Sequence, residues 1–435
     1  MKARHVFAVL AALLAIAVAA DAARSFPTQA GIDFYHLWGV PMGQRASAAP
    51  FSPYAETRRY AELLNTLADH STSEALRTAN RFKREIAPTG TPLFYASFAF
   101  LPDDYGKAHM LFAALQYIAG AAAIFLLARL RGVAPWPSLC IALAVELTFN
   151  PFVQDVKWGN ATAFQLLFIA ACLRLAVRGT FARRAWADLL FLPALALFVL
   201  FKPNTLWIAA ALALHYAAVR GARAAVIGSA AAVPAAFLAW AAGAVYFDNS
   251  AIWNEWLAYA RGGSLVYRFE EGNQSWPMLL AQIAPAHDAW RYGLLVSAFA
   301  VVVLAAVLAR DGRTGELVPR LRAVFGDPWA AVSVGVLFTL ASSPLVWPYY
   351  HLFALLPIAW LVRTHGRWDG PSWCAVATYA ALSSPVLALL IAAEQPVALR
   401  LLMFLSWLPL VPAVLLRILP LAHAQGSPEA AQATR

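Results

Sequence analysis

Along this chain, apolar residues fall into long blocks, and the charges fall into the gaps between them. A helix that crosses a bilayer needs about 20 largely apolar residues, with a range of roughly 17–25. On that template about twelve segments stand out, centred on 6–22, 109–128, 135–150, 161–177, 186–201, 204–219, 224–246, 290–309, 328–344, 349–363, 372–393 and 398–421. Those at 186–201, 204–219 and 349–363 are short. Lys202-Pro203-Asn204 separates the first two of these, and its proline predicts a tight turn within or near the membrane surface. The first block follows Lys2, Arg4 and His5 and ends in Ala20-Asp21-Ala22, so it reads as a retained signal-anchor or as a cleaved signal peptide. The many spans that follow favour the anchor. Both readings place residue 23 onward on the outer face.

Alternating from that start, the inner loops hold Arg129, Arg131, Arg178, Arg183, Arg184, Arg220, Arg223, Arg310, Arg313, Arg320, Arg322, Arg363 and Arg367. The short outer loops hold little beyond Lys157 and Lys202. Basic residues gather on the inner side of a membrane, so this asymmetry fixes the direction of each crossing. Residues 1–435 read as a single polytopic domain with two long outer segments, 23–108 and 247–289, and a disordered inner tail, 425–435. Within the first long segment, Tyr54–Asp69 and Ser73–Glu85 carry helical apolar spacing among many charges. They are expected to be amphipathic helices on the membrane surface. Pro88, Gly90 and Pro92 then break the chain. Phe34, Tyr35, Trp38, Phe94 and Tyr95 predict that the loop is ordered.

Composition excludes the soluble alternatives. The chain is 61% hydrophobic and 13% charged, with a mean hydropathy of +0.61, against about 45–50% and about 25% in soluble domains. Intrinsic disorder and a nucleic-acid-binding module are excluded on the same grounds. The formal net charge of +10 is spent on orienting helices and implies no acidic partner. Cys140, Cys172 and Cys374 lie inside apolar runs with no CxxC or zinc spacing, and read as small core residues.

Polar groups beside hydrocarbon are expensive, which makes each a functional candidate. Most collect at the outer ends of the spans. Asp33 lies in Gly31-Ile32-Asp33-Phe34-Tyr35, and Lys157 in the run from Asn150 to Asn160. Lys202-Pro203-Asn204, Gly272-Asn273-Gln274-Ser275 and the run from Ser343 to His351 follow. The topology puts all of them on one side, where they are expected to converge on an outward-opening cavity. Glu146 and Arg174 lie toward span ends, the midplane is almost bare, and no internal repeat is visible, which disfavours a transporter. An enzyme that takes a lipid-borne substrate from the outer leaflet fits better.

The order of these motifs resembles glycosyltransferase family 87, the polyprenyl-phosphate-dependent mannosyltransferase-like proteins of the GT-C class. The resemblance rests on Asp33 with its aromatic neighbours, the run Pro88–Tyr95, and Trp158-Gly159-Asn160 with Gln165. Phe201-Lys202-Pro203-Asn204, Gly272–Ser275 and Ser343-Pro344…Trp347…His351 complete it, over most of the chain. Tyr350-His351 stands where family members often show two histidines, and Gly159-Asn160 where a Gly-Gln pair is common. The resemblance implies an all-α integral membrane bundle of the GT-C type in a bacterial inner membrane. It also implies transfer of a hexose, mannose being the family's best-known sugar. The donor would be polyprenyl-phosphate-linked and the acceptor a lipid or glycan hydroxyl on the periplasmic side, with inversion and no cofactor.

Such transfer needs a carboxylate to take the acceptor's proton. It also needs groups that hold the departing phosphate, and apolar walls for the prenyl chain. Asp33 answers the first need, with His351 as a second catalytic candidate. Lys202, Lys157 and Arg268 are the phosphate-binding candidates. Asn160, Asn204, Asn273, Gln274, Tyr35 and Trp347 are candidates for the sugar or acceptor. Plainer readings stand beside these. Asp33 as a helix cap or loop charge, Lys202 as a snorkelling lysine, and Lys157 as a surface lysine (the favoured reading there) are three. His351 as an interface histidine and Asn273-Gln274 as a helix cap are two more. Asp103-Asp104 resembles a metal-holding pair but precedes Tyr105-Gly106 and reads as a turn. Two other functional classes stay open: a transporter or flippase for a lipid-linked glycan, and a glycan polymerase or ligase.

Overall fold

The computed structural model describes residues 2–25, 29–83, 88–179, 187–263, 273–309, 316–363, 367–383, 385–387 and 396–424. Arg183, Arg184, Arg268, Gly272, Arg310, Arg313 and the tail 425–435 lie outside the described residues. Regular structure among the described residues is helical, and an isolated antiparallel bridge joins Phe149 to Ser383.

The chain enters through α1 (Lys2–Ser25) and then builds an outer layer of short helices. These are α2 (Phe34–Ala46), α3 (Thr57–Asp69), α4 (Glu74–Lys83) and α5 (Pro92–Ala96). A hairpin of α6 (Tyr105–Leu130) and α7 (Pro135–Thr148) runs along the bundle and returns, followed by α8 (Asn150–Trp158) and α9 (Thr162–Val177). Next come α10 (Ala187–Phe201), α11 (Leu206–Arg220), α12 (Ala222–Tyr246) and α13 (Ile252–Gly263). After them stand α14 (Trp276–Ile283), α15 (Ala289–Leu308), α16 (Leu317–Gly326) and α17 (Pro328–Ser342). The last four are α18 (Leu355–Leu361), α19 (Gly370–Ala381), α20 (Pro396–Leu405) and α21 (Leu410–Ala424).

Local chemistry explains many of these starts. Thr91, Asp104, Asp288, Asp327 and Asp369 each accept a backbone N–H at the head of a helix, and a proline opens α5, α7, α17 and α19. Asp104 thus caps α6 while Asp103 pairs with Arg45 at 2.7 Å, which accounts for both acids of that pair.

By length and composition, five described stretches are able to cross a membrane: α1, α6, α12, α15 and Leu401–Ala422. The bent pair α16–α17, which turns by 98°, makes a sixth if it is one span. α7, α9 and α10 are apolar but shorter, at 14, 16 and 15 residues. At 1.5 Å per residue they reach roughly 21–24 Å, short of a hydrocarbon core about 30 Å thick. The expected block at 349–363 divides into a 3₁₀ turn, Pro348–Ala354, and the short α18. A uniform set of long spans is therefore not what the helices form; short helices ending in polar turns replace several of them.

Two apolar clusters hold the molecule. One fills the bundle, with Phe149, Leu166, Leu212 and Phe353 among its fully buried members. The other lies under the outer layer, around Phe34, Tyr35, Tyr60, Tyr105 and Phe112. Burying a large apolar side chain contributes about 1.5–3 kcal/mol, so this second cluster holds the described helices of that segment together. α3 and α4 send Tyr60, Leu64, Leu76 and Ala79 into it. Their apolar faces therefore lie on protein, which corrects the expectation that they rest on the membrane surface. Within the bundle, a Cβ on Gly335 would stand 2.8 Å from Ile208 Cα, so α17 and α11 touch almost backbone to backbone.

Candidate active site

Asp33 is placed by its backbone. Its N–H donates to the Trp158 carbonyl at 2.7 Å, joining the start of α2 to the end of α8. That approach depends on Gly159, which closes α8 in the left-handed conformation at φ +69°. A Cβ there would lie 2.4 Å from Phe34 Cβ. The Asp33 carboxylate caps no helix. Instead Oδ1 accepts from Lys83 Nζ at 3.1 Å, and Oδ2 accepts from Tyr349 Oη at 2.9 Å and Asn160 Nδ2 at 3.2 Å. Burial alone would raise its pKa, but the Lys83 charge and the hydrogen bonds from Tyr349, Lys83 and Asn160 outweigh it. The carboxyl is held below its ordinary range and stays ionised at neutral pH.

Lys202 sits at the break between α10 and α11. Its extended backbone, φ −153° and ψ 106°, and the 3₁₀ turn begun by Pro203 carry out the predicted interruption. The ammonium donates to Asn160 Oδ1 and lies 5.5–6.0 Å from the ring centroids of Phe94, Tyr349 and Tyr350. Burial pulls its pKa down to about 8, with Asp155 and Asp33 resisting. Asn160 therefore bridges the acid and the base, donating to one and accepting from the other. Asp155 lies behind them, buried, with its oxygens on the Thr162 and Ala163 N–H groups at 3.1 and 2.9 Å. It caps α9, and burial raises its pKa to about 6 despite those bonds.

Asp33, Lys83, Asn160 and Lys202 line one cavity of about 330 Å³, within the size range of small-molecule sites. Away from this polar end the walls are Leu206, Trp207, Trp256, Trp290 and Leu294. Leu206, Trp290 and Leu294 are also 50%, 40% and 69% exposed. They stand on the outer faces of α11 and α15, so the apolar end of the cavity reaches the flank of the bundle.

Of the residues singled out from sequence, Asp33, Asn160, Lys202, Asn204 and Trp347 meet at this cavity. Asn204 exchanges hydrogen bonds with Gln165 at 2.8 and 3.4 Å. Others do not line it. Tyr35 is buried with its hydroxyl on Asn80. Lys157 is exposed, 5.7 Å from the Trp158 ring, as its plainer reading has it. His351 is fully buried, with Nδ1 3.2 Å from the Pro348 carbonyl. Asn273 and Gln274 clamp a backbone: Asn273 Nδ2 donates to Pro344 O at 3.1 Å and Oδ1 accepts the Val346 N–H at 2.9 Å. The Gln274 N–H donates to Val346 O at 2.7 Å. This pair shapes the wall beside Trp347 and does not itself line the cavity.

Among the lining residues that sequence reasoning missed, three stand close to the Asp33 carboxylate. Lys83 ends an amphipathic helix 50 residues from Asp33, where its charge looks like one more on a solvated face. Tyr349 lies inside a motif whose Trp347 and His351 drew notice first. His36 follows Asp33 by one helical turn, with Nδ1 3.0 Å from Tyr60 Oη. Burial and then the Lys83 charge lower its pKa to about 3 against the pull of Asp33, so the ring is neutral. Its spacing from Asp33 was the available signal. Comparison of the chain with protein-family models, with curated proteins and with solved structures finds no match.

Proposed function

We propose that this protein is a membrane glycosyltransferase that moves a hexose, mannose first among them, from a polyprenyl-phosphate-linked donor to an acceptor hydroxyl on a lipid or glycan. On this reading the chain crosses a bacterial inner membrane about twelve times, with the cavity opening to the periplasmic side. The reading is supported chiefly by one observation: a low-pKa carboxylate and a buried lysine share one cavity whose other end is apolar and reaches the flank of the bundle.

In this mechanism the acceptor oxygen attacks the anomeric carbon while its proton passes to an Asp33 carboxylate oxygen. The bond from that carbon to the phosphate oxygen breaks, and the electron pair leaves with the polyprenyl phosphate. Lys202 stabilises the charge that develops there. Attack opposite the leaving group inverts the anomeric centre. Tyr349 and Asn160 hold Asp33 Oδ2 while Lys83 holds Oδ1, and Leu206, Trp207 and Leu294 offer the prenyl chain an apolar wall.

Asp33→Asn tests the base. The purified variant would be assayed with labelled polyprenyl-phosphate mannose and a membrane acceptor fraction, alongside donor binding and thermal unfolding. General base catalysis is worth about 10²–10⁴-fold, roughly 3–5.5 kcal/mol of barrier. Transfer should fall by that factor while the protein folds and still binds donor. Transfer within about threefold of wild type overturns the assignment. Movement of a lipid-linked glycan across liposomes without any transfer would put the flippase reading in its place.

A further inference from the structure

A second cavity, of about 400 Å³, lies at the other end of the bundle. Its walls come from both arms of the α6–α7 hairpin and from α18 and α19. They are aliphatic almost throughout, with Ile124, Leu127, Ile141, Val145 and Ile358 among them. Ile141 is 42% exposed, which puts one rim of the groove on the lipid-facing side of the hairpin. Tyr379 bounds the far part, its hydroxyl held by Thr148 Oγ1 at 2.8 Å.

The other boundary is Arg131, just past the end of α6. Nε is buried and has no hydrogen-bond partner. One Nη reaches only the Val362 carbonyl at 3.4 Å, and the guanidinium lies 5.7 Å from the Trp329 ring centroid. Among the described residues no carboxylate forms an ion pair with it. Burial lowers its pKa, the neighbouring Arg417 lowers it further, and Asp327 offsets only part. Arg417 and Arg363 are themselves engaged with Asp369. A half-buried cation with no ion-pair partner among the described residues, at one end of an apolar slot, suits a phospholipid with an anionic headgroup.

We propose that this groove seats one anionic phospholipid of the inner leaflet, with its phosphate on Arg131 and an acyl chain between the α6–α7 hairpin and α18–α19. The site is separate from the Asp33 cavity and does not depend on the activity assigned there. A cation that orients the hairpin by the inner-side preference for Arg would then also hold a lipid in the groove beside it.

The test is native mass spectrometry of the delipidated full-length protein, titrated with phosphatidylglycerol or with phosphatidylcholine of the same chains. Wild type should retain one phosphatidylglycerol selectively. Arg131→Gln should weaken that binding at least about tenfold, the loss expected of one charged hydrogen-bonded contact, and leave phosphatidylcholine unchanged. Ala144→Phe, which puts a ring into the slot and leaves Arg131 intact, should weaken it comparably, and it decides the matter if Arg131→Gln does not fold. Equal retention of both lipids by wild type overturns the proposal. Unchanged phosphatidylglycerol binding in a folded variant of either kind does so too.

Discussion

Lys202 carries the charge that the proposed reaction needs at its leaving group, and burial makes that charge conditional. Its pKa falls from an ordinary 10.5 to about 8. Between those values the folded protein has released a proton that the unfolded chain keeps, so stability rises with pH across this window. Anion binding runs the other way. Above pH 8 the free site increasingly offers a neutral amine, so affinity for a polyprenyl-phosphate sugar should be about tenfold weaker at pH 9 than at pH 7. Lys202→Arg keeps its cation at both values. Titrations of the two proteins at pH 7 and 9 should therefore show an alkaline loss in wild type that the arginine variant lacks. An equal loss in both would move the titrating group elsewhere.

At the scale of elements, the site is a joint between helix ends, and Gly159 is where the joint is tightest. Gly159→Ala meets two penalties: a left-handed backbone, about 1–2 kcal/mol for a residue with a Cβ, and the contact at 2.4 Å with Phe34. Gly132 has φ +80° and nothing within 4 Å, so Gly132→Ala carries only the first. Melting curves should show the larger loss at Gly159, and only that variant should also lose the proposed sugar transfer, because Phe34 and Asp33 must shift. Similar behaviour of the two would mean that Phe34 yields freely. This joint was half legible in the sequence. Asp33, Asn160, Lys202 and Asn204 stood out because each is polar beside an apolar run, which is costly wherever it occurs. Lys83 did not, because a lysine on an amphipathic helix costs nothing until tertiary packing turns it inward. Asn273 shows the limit from the other side: an amide that clamps Pro344 and Val346 leaves the same trace in sequence as one that binds a sugar. The short helices were blurred because periodicity reports apolar length and not where a backbone bends, as at Phe149 or Lys202.

For the whole molecule, the arrangement of ends is the testable quantity. Tyr105 and Arg131 bound α6, and the polar cavity and the arginine-rich end lie correspondingly apart. Thr72 and Arg322 are both exposed, one in the outer layer and one on α16. In a background with Cys374 replaced by serine, Thr72→Cys should react with a membrane-impermeant thiol reagent in intact cells. Arg322→Cys should react only after permeabilisation, and the reverse pattern would invert the protein and place the cavity inside. The cavity's apolar end reaches the outer faces of α11 and α15, beside lipid. A ligand arriving there never leaves the bilayer: it searches a plane instead of a volume, and its abundance is a mole fraction among lipids. If the ligand is the carrier-linked sugar proposed above, occupancy follows how crowded the membrane is with carrier lipid, and a cell that expands its membrane without making more carrier dilutes that substrate.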